Sequence, residues 1–265
     1  MSYKLGIIGV GKMGSALLNG IMSSKILKKE EVFLGLYDEE GVRIYGKEQK
    51  YNYSLSAKEV FSSSEAVILA IKPQSFPEIT PVADETDFTG KCIISIAAGI
   101  SIDYLKTHFK NADIIRCMPN TPALIKMGVT ALANSASKKW VDFAKEIFSS
   151  VGKVYEIDES LMDLTVPLNG SMPAYLYYFA QSFIDSAVKS GVPYETAKAL
   201  TVESIISSAN MILKSDDDIE TLIKNVCSKG GTTIAGLDKL KEGNFSEAIE
   251  NCYKACAKRS KELCK

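Results

Sequence analysis

Apolar positions follow two different periods along this chain, and the change from one to the other divides it. Residues 5–10 form an apolar run, after which Met13, Ala16, Leu17 and Leu18 recur at helical spacing. Segments 31–38, 52–54, 66–71, 92–97, 114–118, 129–133 and 153–157 read as further strands, with helical stretches after residue 38 and over 101–109 and 137–149. The runs at 66–71 and 92–97 are continuously apolar, as parallel strands covered on both faces should be. Beyond about residue 160 strand-like runs stop. Segments 174–190, 194–213, 218–227, 233–241 and 245–264 carry the helical period, with Pro173 and Pro193 near helix starts and Gly191 and Gly243 in the breaks. The pattern predicts an α/β domain over 1–160, built on a doubly wound sheet, and an all-helical domain over 161–265.

The first strand–helix junction carries chemistry. Gly9, Gly11 and Gly14 have the spacing G-x-G-x-x-G between a strand and a helix, the context of a dinucleotide-binding, Rossmann-type turn. Gly9 would make the tight turn, Gly11 would let a pyrophosphate approach the backbone, and Gly14 would let helix and strand pack closely. The N–H groups around Lys12 and Met13 would face the phosphates. Asp38, which the pattern places at the end of the second strand, stands where such folds receive the adenosine ribose hydroxyls. It would favour a free 2′-hydroxyl, while Lys12 and Arg43 are nearby cations that soften that preference. Other strand ends lead into Lys72-Pro73-Gln74, Ala98-Gly99 and Pro119-Asn120-Thr121-Pro122. These small or rigid residues are expected on the carboxyl edge of the sheet, where doubly wound folds bind ligands.

Two segments of the helical half invite attention. Ser228-Lys229-Gly230-Gly231-Thr232-Thr233 puts two glycines and two hydroxyls just before a helix, which makes either a cradle for a small anion or an ordinary cap. Residues 167–175 gather turn formers ahead of a very apolar helix, and Tyr175, Tyr177 and Tyr178 are expected in a core or an interface.

Composition narrows the class. The chain has 265 residues, 46% of them hydrophobic, and a formal net charge of −1. No basic stripe points to nucleic acid, and no apolar run approaches a membrane span. The first strand follows directly on the first few residues, so a cytoplasmic location is expected. Six cysteines and one histidine show no metal-ligand spacing, so no metal site is expected and the cysteines read as reduced thiols. Cys252 and Cys256 share a helical face, read as core packing. His108 is expected on the surface.

A nicotinamide fold suggests hydride transfer, and carbonyl chemistry would need a proton donor. A 3-hydroxyacid dehydrogenase would carry a lysine on the helix after Gly170-Ser171-Met172, yet none occurs before Lys189. An imine acceptor relaxes the demand, because its nitrogen can enter already protonated. Hydroxyacid dehydrogenase-like chemistry and a catalytically weak, NAD(P)-binding regulatory paralogue stand as the alternatives.

The motifs IGVGKMGSAL (from Ile8), AIKPQ (70–74), ISIAAGIS (94–101), RCMPNTPALI (116–125), DLTVPLNGSMPAYLYYF (163–179) and VCSKGGTTIAGLDKLKEGNF (226–245) together resemble the Δ1-pyrroline-5-carboxylate reductases over the whole length. The resemblance implies reduction of 1-pyrroline-5-carboxylate to L-proline with NADPH or NADH, the last step of proline biosynthesis. It implies that backbone N–H groups of Gly230, Gly231, Thr232 and Thr233 hold the substrate carboxylate and that the Thr233 hydroxyl, the catalytic group, bonds the ring nitrogen. It matches Gly9 to Gly14, Asn52, Ala70, Lys72, Ala98, Asn120 and Asn225 to cofactor contacts. It further implies homodimers through the helical domain, often assembled into decamers. The chain departs from the family pattern at Asn169 (usually Ser), Met172 (usually Gly) and Lys229 (usually Pro), and Asp38 leaves the choice of nicotinamide open.

Overall fold

In the computed structural model, residues 2–263 are described; Met1, Cys264 and Lys265 lie outside the described residues. The N-terminal elements are β1 (Tyr3–Ile8), α1 (Lys12–Ser23), β2 (Val32–Gly35), α2 (Glu39–Gly41), which continues as a π-helix over Val42–Glu48, β3 (Asn52–Ser54), α3 (Ala57–Ser63) and β4 (Ser64–Leu69). They are followed by α4 (Phe76–Asp84), β5 (Cys92–Ser95), α5 (Ile102–His108), β6 (Asp113–Met118), β7 (Gly128–Asn134), α6 (Lys138–Ser149), β8 (Gly152–Glu156) and α7 (Met162–Thr165). Five longer helices follow: α8 (Met172–Lys189), α9 (Tyr194–Lys214), α10 (Ile219–Val226), α11 (Thr232–Glu242) and α12 (Phe245–Leu263). No helix among the described residues is long and apolar enough to cross a membrane.

The eight strands form one sheet in the order β3-β2-β1-β4-β5-β6-β7-β8. All neighbouring pairs are parallel except β6 and β7. The reversal follows from chain length. Only nine residues separate Met118 from Gly128, too few for the crossover a parallel return needs. They fold instead into a 3-10 turn over Thr121–Ile125 that ends on Lys126 in the left-handed region, φ 59°.

Strand side chains alternate between two cores. Leu5 and Ile7 of β1, Ala66 and Ile68 of β4, and Ile94 of β5 pack on the face covered by Leu17, Leu18 and Ile21 of α1 and by Trp140, Ile147 and Phe148 of α6. Ile8, Val67, Leu69 and Ile93 point to the other face, against Phe61, Phe76, Phe88 and Phe109. Burying each such side chain contributes about 1.5–3 kcal/mol, which commits the register of every central strand.

The chain divides into two compact units, one running to Pro173 and resuming at Cys256, the other covering Ala174–Ala255. In the first, a buried ion pair ties distant segments together. Arg116 of β6, 4% exposed, donates to Glu159 at 3.3 Å and to Asp163 at 3.2 Å. Asp163 also accepts from the Ser260 hydroxyl at 2.8 Å, and Glu159 from the Ile102 N–H at 2.7 Å. His108 is less exposed than expected. Its side chain, 22% exposed, lies against Tyr104 and pairs with Asp84 at 3.1 Å. In the second unit Tyr177 and Tyr178 of α8 are exposed, so they are not core residues there.

Candidate active site

The glycine turn closes the carboxyl end of β1. Gly9 has φ +90°, and a Cβ there would lie 2.7 Å from the Ala70 carbonyl oxygen, so only glycine fits between β1 and β4. A Cβ on Gly14 would collide with the Gly9 carbonyl oxygen, whereas one on Gly11 would meet nothing within 4 Å. Gly9 and Gly14 therefore serve packing, and Gly11 keeps open the space in front of α1. No side chain caps α1, and its first turn carries no acid. Its N–H groups and the positive end of its dipole are left for an anion, so the turn fits a dinucleotide pyrophosphate.

Strand order brings the other edge residues beside this turn. Ala70 follows β4, and its N–H donates to Ile8 O at 2.8 Å. Lys72 is exposed one residue before Pro73, and Ala98 follows β5, half-buried ahead of Gly99 at φ +73°. Asn120 follows β6 but is 7% exposed, with both ends of its carboxamide engaged. Its Nδ2 donates to Asn169 O at 3.1 Å, and its Oδ1 accepts from Val129 N–H at 2.8 Å. Asn120 thus acts here as a brace for the edge.

Two expectations at the adenosine end change. β2 stops at Gly35, because β3 is exhausted at Ser54, whose carbonyl takes the Leu36 N–H at 3.0 Å. Asp38 is therefore not a strand residue. It is the exposed N-cap of α2, accepting from Gly41 N–H at 2.6 Å. Beside it the Tyr37 ring is half-exposed while its hydroxyl turns back over Gly35. Burial of that hydroxyl, reinforced by the charge of Glu78, pushes Tyr37 up to about 12. Asn52 pairs with Phe33, which is level with Gly6, so it stands about 10 Å short of the Gly9 turn along the strand direction. The sheet does not bring Asn52 to the carboxyl edge.

In the second unit, Ser228 to Gly231 form a tight turn. Gly231 N–H donates to Ser228 O at 2.9 Å, and Gly230 takes φ +73°. This is a type II arrangement, which requires the positive φ at its third position and favours proline at its second, here Lys229. The Gly231 N–H is consumed by the turn, so the anion-binding expectation narrows by one donor. The donors left are the Gly230 N–H and the first-turn N–H groups of α11, at Thr232, Thr233 and Ile234. The α11 N-terminus has no side-chain cap and no acid in its first turn, while Lys239 and Lys241 close its far end. Asn225, exposed near the end of α10, donates to Asp217 at 3.3 Å.

Comparison with known proteins gives this geometry a context. Residues 159–263 match the family described as pyrroline-5-carboxylate reductase dimerisation, and residues 4–99 match the family described as NADP oxidoreductase, coenzyme F420-dependent. Pyrroline-5-carboxylate reductase of Synechocystis sp. is 35% identical over 271 residues, covering 99% of this chain and 99% of its own. Pyrroline-5-carboxylate reductase 2 of Bacillus subtilis is 34% identical, covering 98% of this chain and 95% of its own. The crystal structure of the Plasmodium falciparum pyrroline carboxylate reductase with NADP bound superposes with a TM-score of 0.87 at 31% identity, covering 99% of this chain and 98% of that one.

The chain belongs to the pyrroline-5-carboxylate reductase family.

Within the reductase family frame, one side chain stands out that the sequence did not single out for a role. Asn169 is 6% exposed, and its Nδ2 donates to the Met118 carbonyl at 2.6 Å, at the end of β6. Its Oδ1 is buried with no hydrogen-bond partner in the described structure. Nothing local marks it, since its partners lie about fifty residues upstream. Arg116 did leave a signal: it is a charged residue among the apolar residues 114–118 of its strand, and burial of such a charge requires a partner. On α8 the lysine of a hydroxyacid dehydrogenase is missing, for Lys189 comes only in the last turn.

Proposed function

We propose that this protein reduces 1-pyrroline-5-carboxylate to L-proline, the last step of proline biosynthesis, in the cytoplasm. The observation that carries the reading is the uncapped, glycine-preceded start of α11, with Thr232 and Thr233 in its first turn, in a chain matched end to end by pyrroline-5-carboxylate reductases. Residues 1–160 hold the dinucleotide through Gly9, Gly11, Lys12, Met13 and Gly14, with Asp38, Ala70, Lys72, Ala98 and Asn120 around it. Asn225 is carried over from the family as a further cofactor contact. Residues 161–265 hold the substrate and the dimer contact.

A bound, reduced nicotinamide would supply the hydride that the imine carbon accepts, the C=N electron pair passing to the nitrogen. The chain's own residues bind and orient. First-turn N–H groups at Thr232 and Thr233 anchor the carboxylate, aided by the helix dipole. The Thr233 hydroxyl orients the ring nitrogen, which enters protonated and needs no general acid. Holding the reacting atoms at contact distance removes much of the entropic barrier. Exposed apolar side chains along α8 and α9, among them Leu176, Tyr177, Phe183, Leu200, Ile206 and Leu213, support burial against a second copy, with a decamer as the larger assembly.

The test is oxidation of NADH and NADPH by the purified protein with and without 1-pyrroline-5-carboxylate. Imine-dependent oxidation with proline as product is expected. Binding of either nucleotide without any imine-dependent turnover would overturn the reading.

A further inference from the structure

The nicotinamide dinucleotides differ only at the adenosine ribose, so the residues after β2 decide between them. Three consecutive acids, Asp38, Glu39 and Glu40, open α2 there. Asp38 is held as the N-cap by the Gly41 N–H at 2.6 Å, which aims it at the start of the helix. One carboxylate oxygen takes that bond, and the other is left to accept from a ribose hydroxyl. Glu78 acts on Tyr37 from α4, so the field at this corner is negative from a second element as well.

The cations do not offset it. Between residues 38 and 48 there are four acids, Asp38, Glu39, Glu40 and Glu48, against two bases, Arg43 and Lys47. Arg43 carries the one guanidinium of this segment, the group that suits a phosphate, and it is paired with Glu48 across the π-helical turn. That exposed pair is weak as a contact, but it offsets one of the charges that would favour a phosphate.

Resting on the dinucleotide reading above, we infer that this site takes NADH in preference to NADPH, with Asp38 as the specificity-determining residue. A ribose diol donates to the Asp38 carboxylate, whereas a 2′-phosphate meets it with like charge and no donor. Glu39 and Glu40 add to the repulsion. The preference is local to the adenosine end and independent of the imine, so it is legible in binding alone. It also sets this chain apart from the Plasmodium relative, which was crystallised with NADP.

The experiment is direct titration of the full-length protein with NADH and with NADPH, without substrate, for wild type, Asp38→Asn and Glu48→Gln. Asparagine keeps the cap and removes the charge. Wild type is expected to bind NADH about tenfold or more tighter than NADPH, since like-charge juxtaposition is costly. Asp38→Asn should raise NADPH affinity several-fold and lower NADH affinity, because the amide keeps the cap but no longer accepts from the ribose diol, and Glu48→Gln should raise NADPH affinity by releasing Arg43. Equal or tighter binding of NADPH by wild type overturns the inference while the reductase reading stands. An NADH preference unmoved in Asp38→Asn removes Asp38 from the role and overturns it too. If neither nucleotide binds, the dinucleotide reading falls and the inference with it.

Discussion

Asn120 and Asn169 brace one another across the carboxyl end of β6: Asn120 Nδ2 donates to the Asn169 carbonyl at 3.1 Å, and Asn169 Nδ2 donates to the Met118 carbonyl at 2.6 Å. Together with the bond from Val129 N–H to Asn120 Oδ1, they fix the segment after β6 to the segment before α8. Asn120→Ala leaves a buried carbonyl and a half-buried N–H without their present partners. The expected loss is about 2–4 kcal/mol of unfolding free energy, since each orphaned group costs about 1–3 kcal/mol. Urea denaturation checks it, and an unchanged midpoint would mean that the side chain serves ligand contact alone.

The glycines of the first turn should separate stability from binding. Gly14→Ala drives a Cβ into the Gly9 carbonyl and is expected to destabilise the protein by several kcal/mol or prevent folding. At Gly11 the added methyl meets open space, so Gly11→Ala should keep the fold within about 1 kcal/mol. It should nonetheless weaken dinucleotide binding at least tenfold, by filling the room reserved for the pyrophosphate. Thermal melts and nucleotide titration on the two variants would distinguish these effects.

Arg116→Leu is expected to cost about 3 kcal/mol, because it removes the buried cation between the Glu159 and Asp163 carboxylates and leaves them facing each other. Arg116→Lys should recover only part of this, since an ammonium cannot span two carboxylates as a guanidinium does. Equal stability of the lysine variant and wild type in guanidinium denaturation would contradict this account.

Lys229→Pro should stabilise the protein by about 0.4–1 kcal/mol. Proline presets the second position of the turn that Ser228, Gly230 and Gly231 already adopt, and so restricts mainly the unfolded chain. A loss of stability would show that Lys229 departs from type II geometry.

Thr233→Ala is expected to lower kcat/KM for the imine by about tenfold to a hundredfold, the value of one hydrogen bond to a charged group, with nucleotide affinity unchanged. Thr233→Ser should restore most of the rate. Equal loss in both variants, or loss of nucleotide binding, would place Thr233 outside the reaction.

Periodicity made the frame legible. The parallel strands and the long helices lie within a few residues of their expected bounds, because the apolar pattern that predicts them is the pattern that buries them. The glycine turn was legible because φ and close approach constrain Gly9 and Gly14 locally. Features set by distant partners were not. The antiparallel β7 could have been inferred from the short 119–127 connection, but the Asn120–Asn169 brace and the Arg116 pairing depend on segments about fifty residues away. At the α11 start the glycine pair was visible, while the diversion of the Gly231 N–H into the turn required Ser228 to be placed.

The nucleotide-binding unit is finished by residues far from its own beginning. Ser260 reaches Asp163, and the Leu263 carbonyl sits 2.7 Å from where a Cβ on Gly99 would stand, beside the expected cofactor contact Ala98. During synthesis the first eight strands emerge well before these residues do. Closure of the unit over Gly99 and Asp163 therefore comes only once Ser260 and Leu263 are free of the ribosome. A ribosome stalled after residue 255 would present a sheet already paired but not yet closed, more open to protease at 96–101 and 159–165 than the released protein.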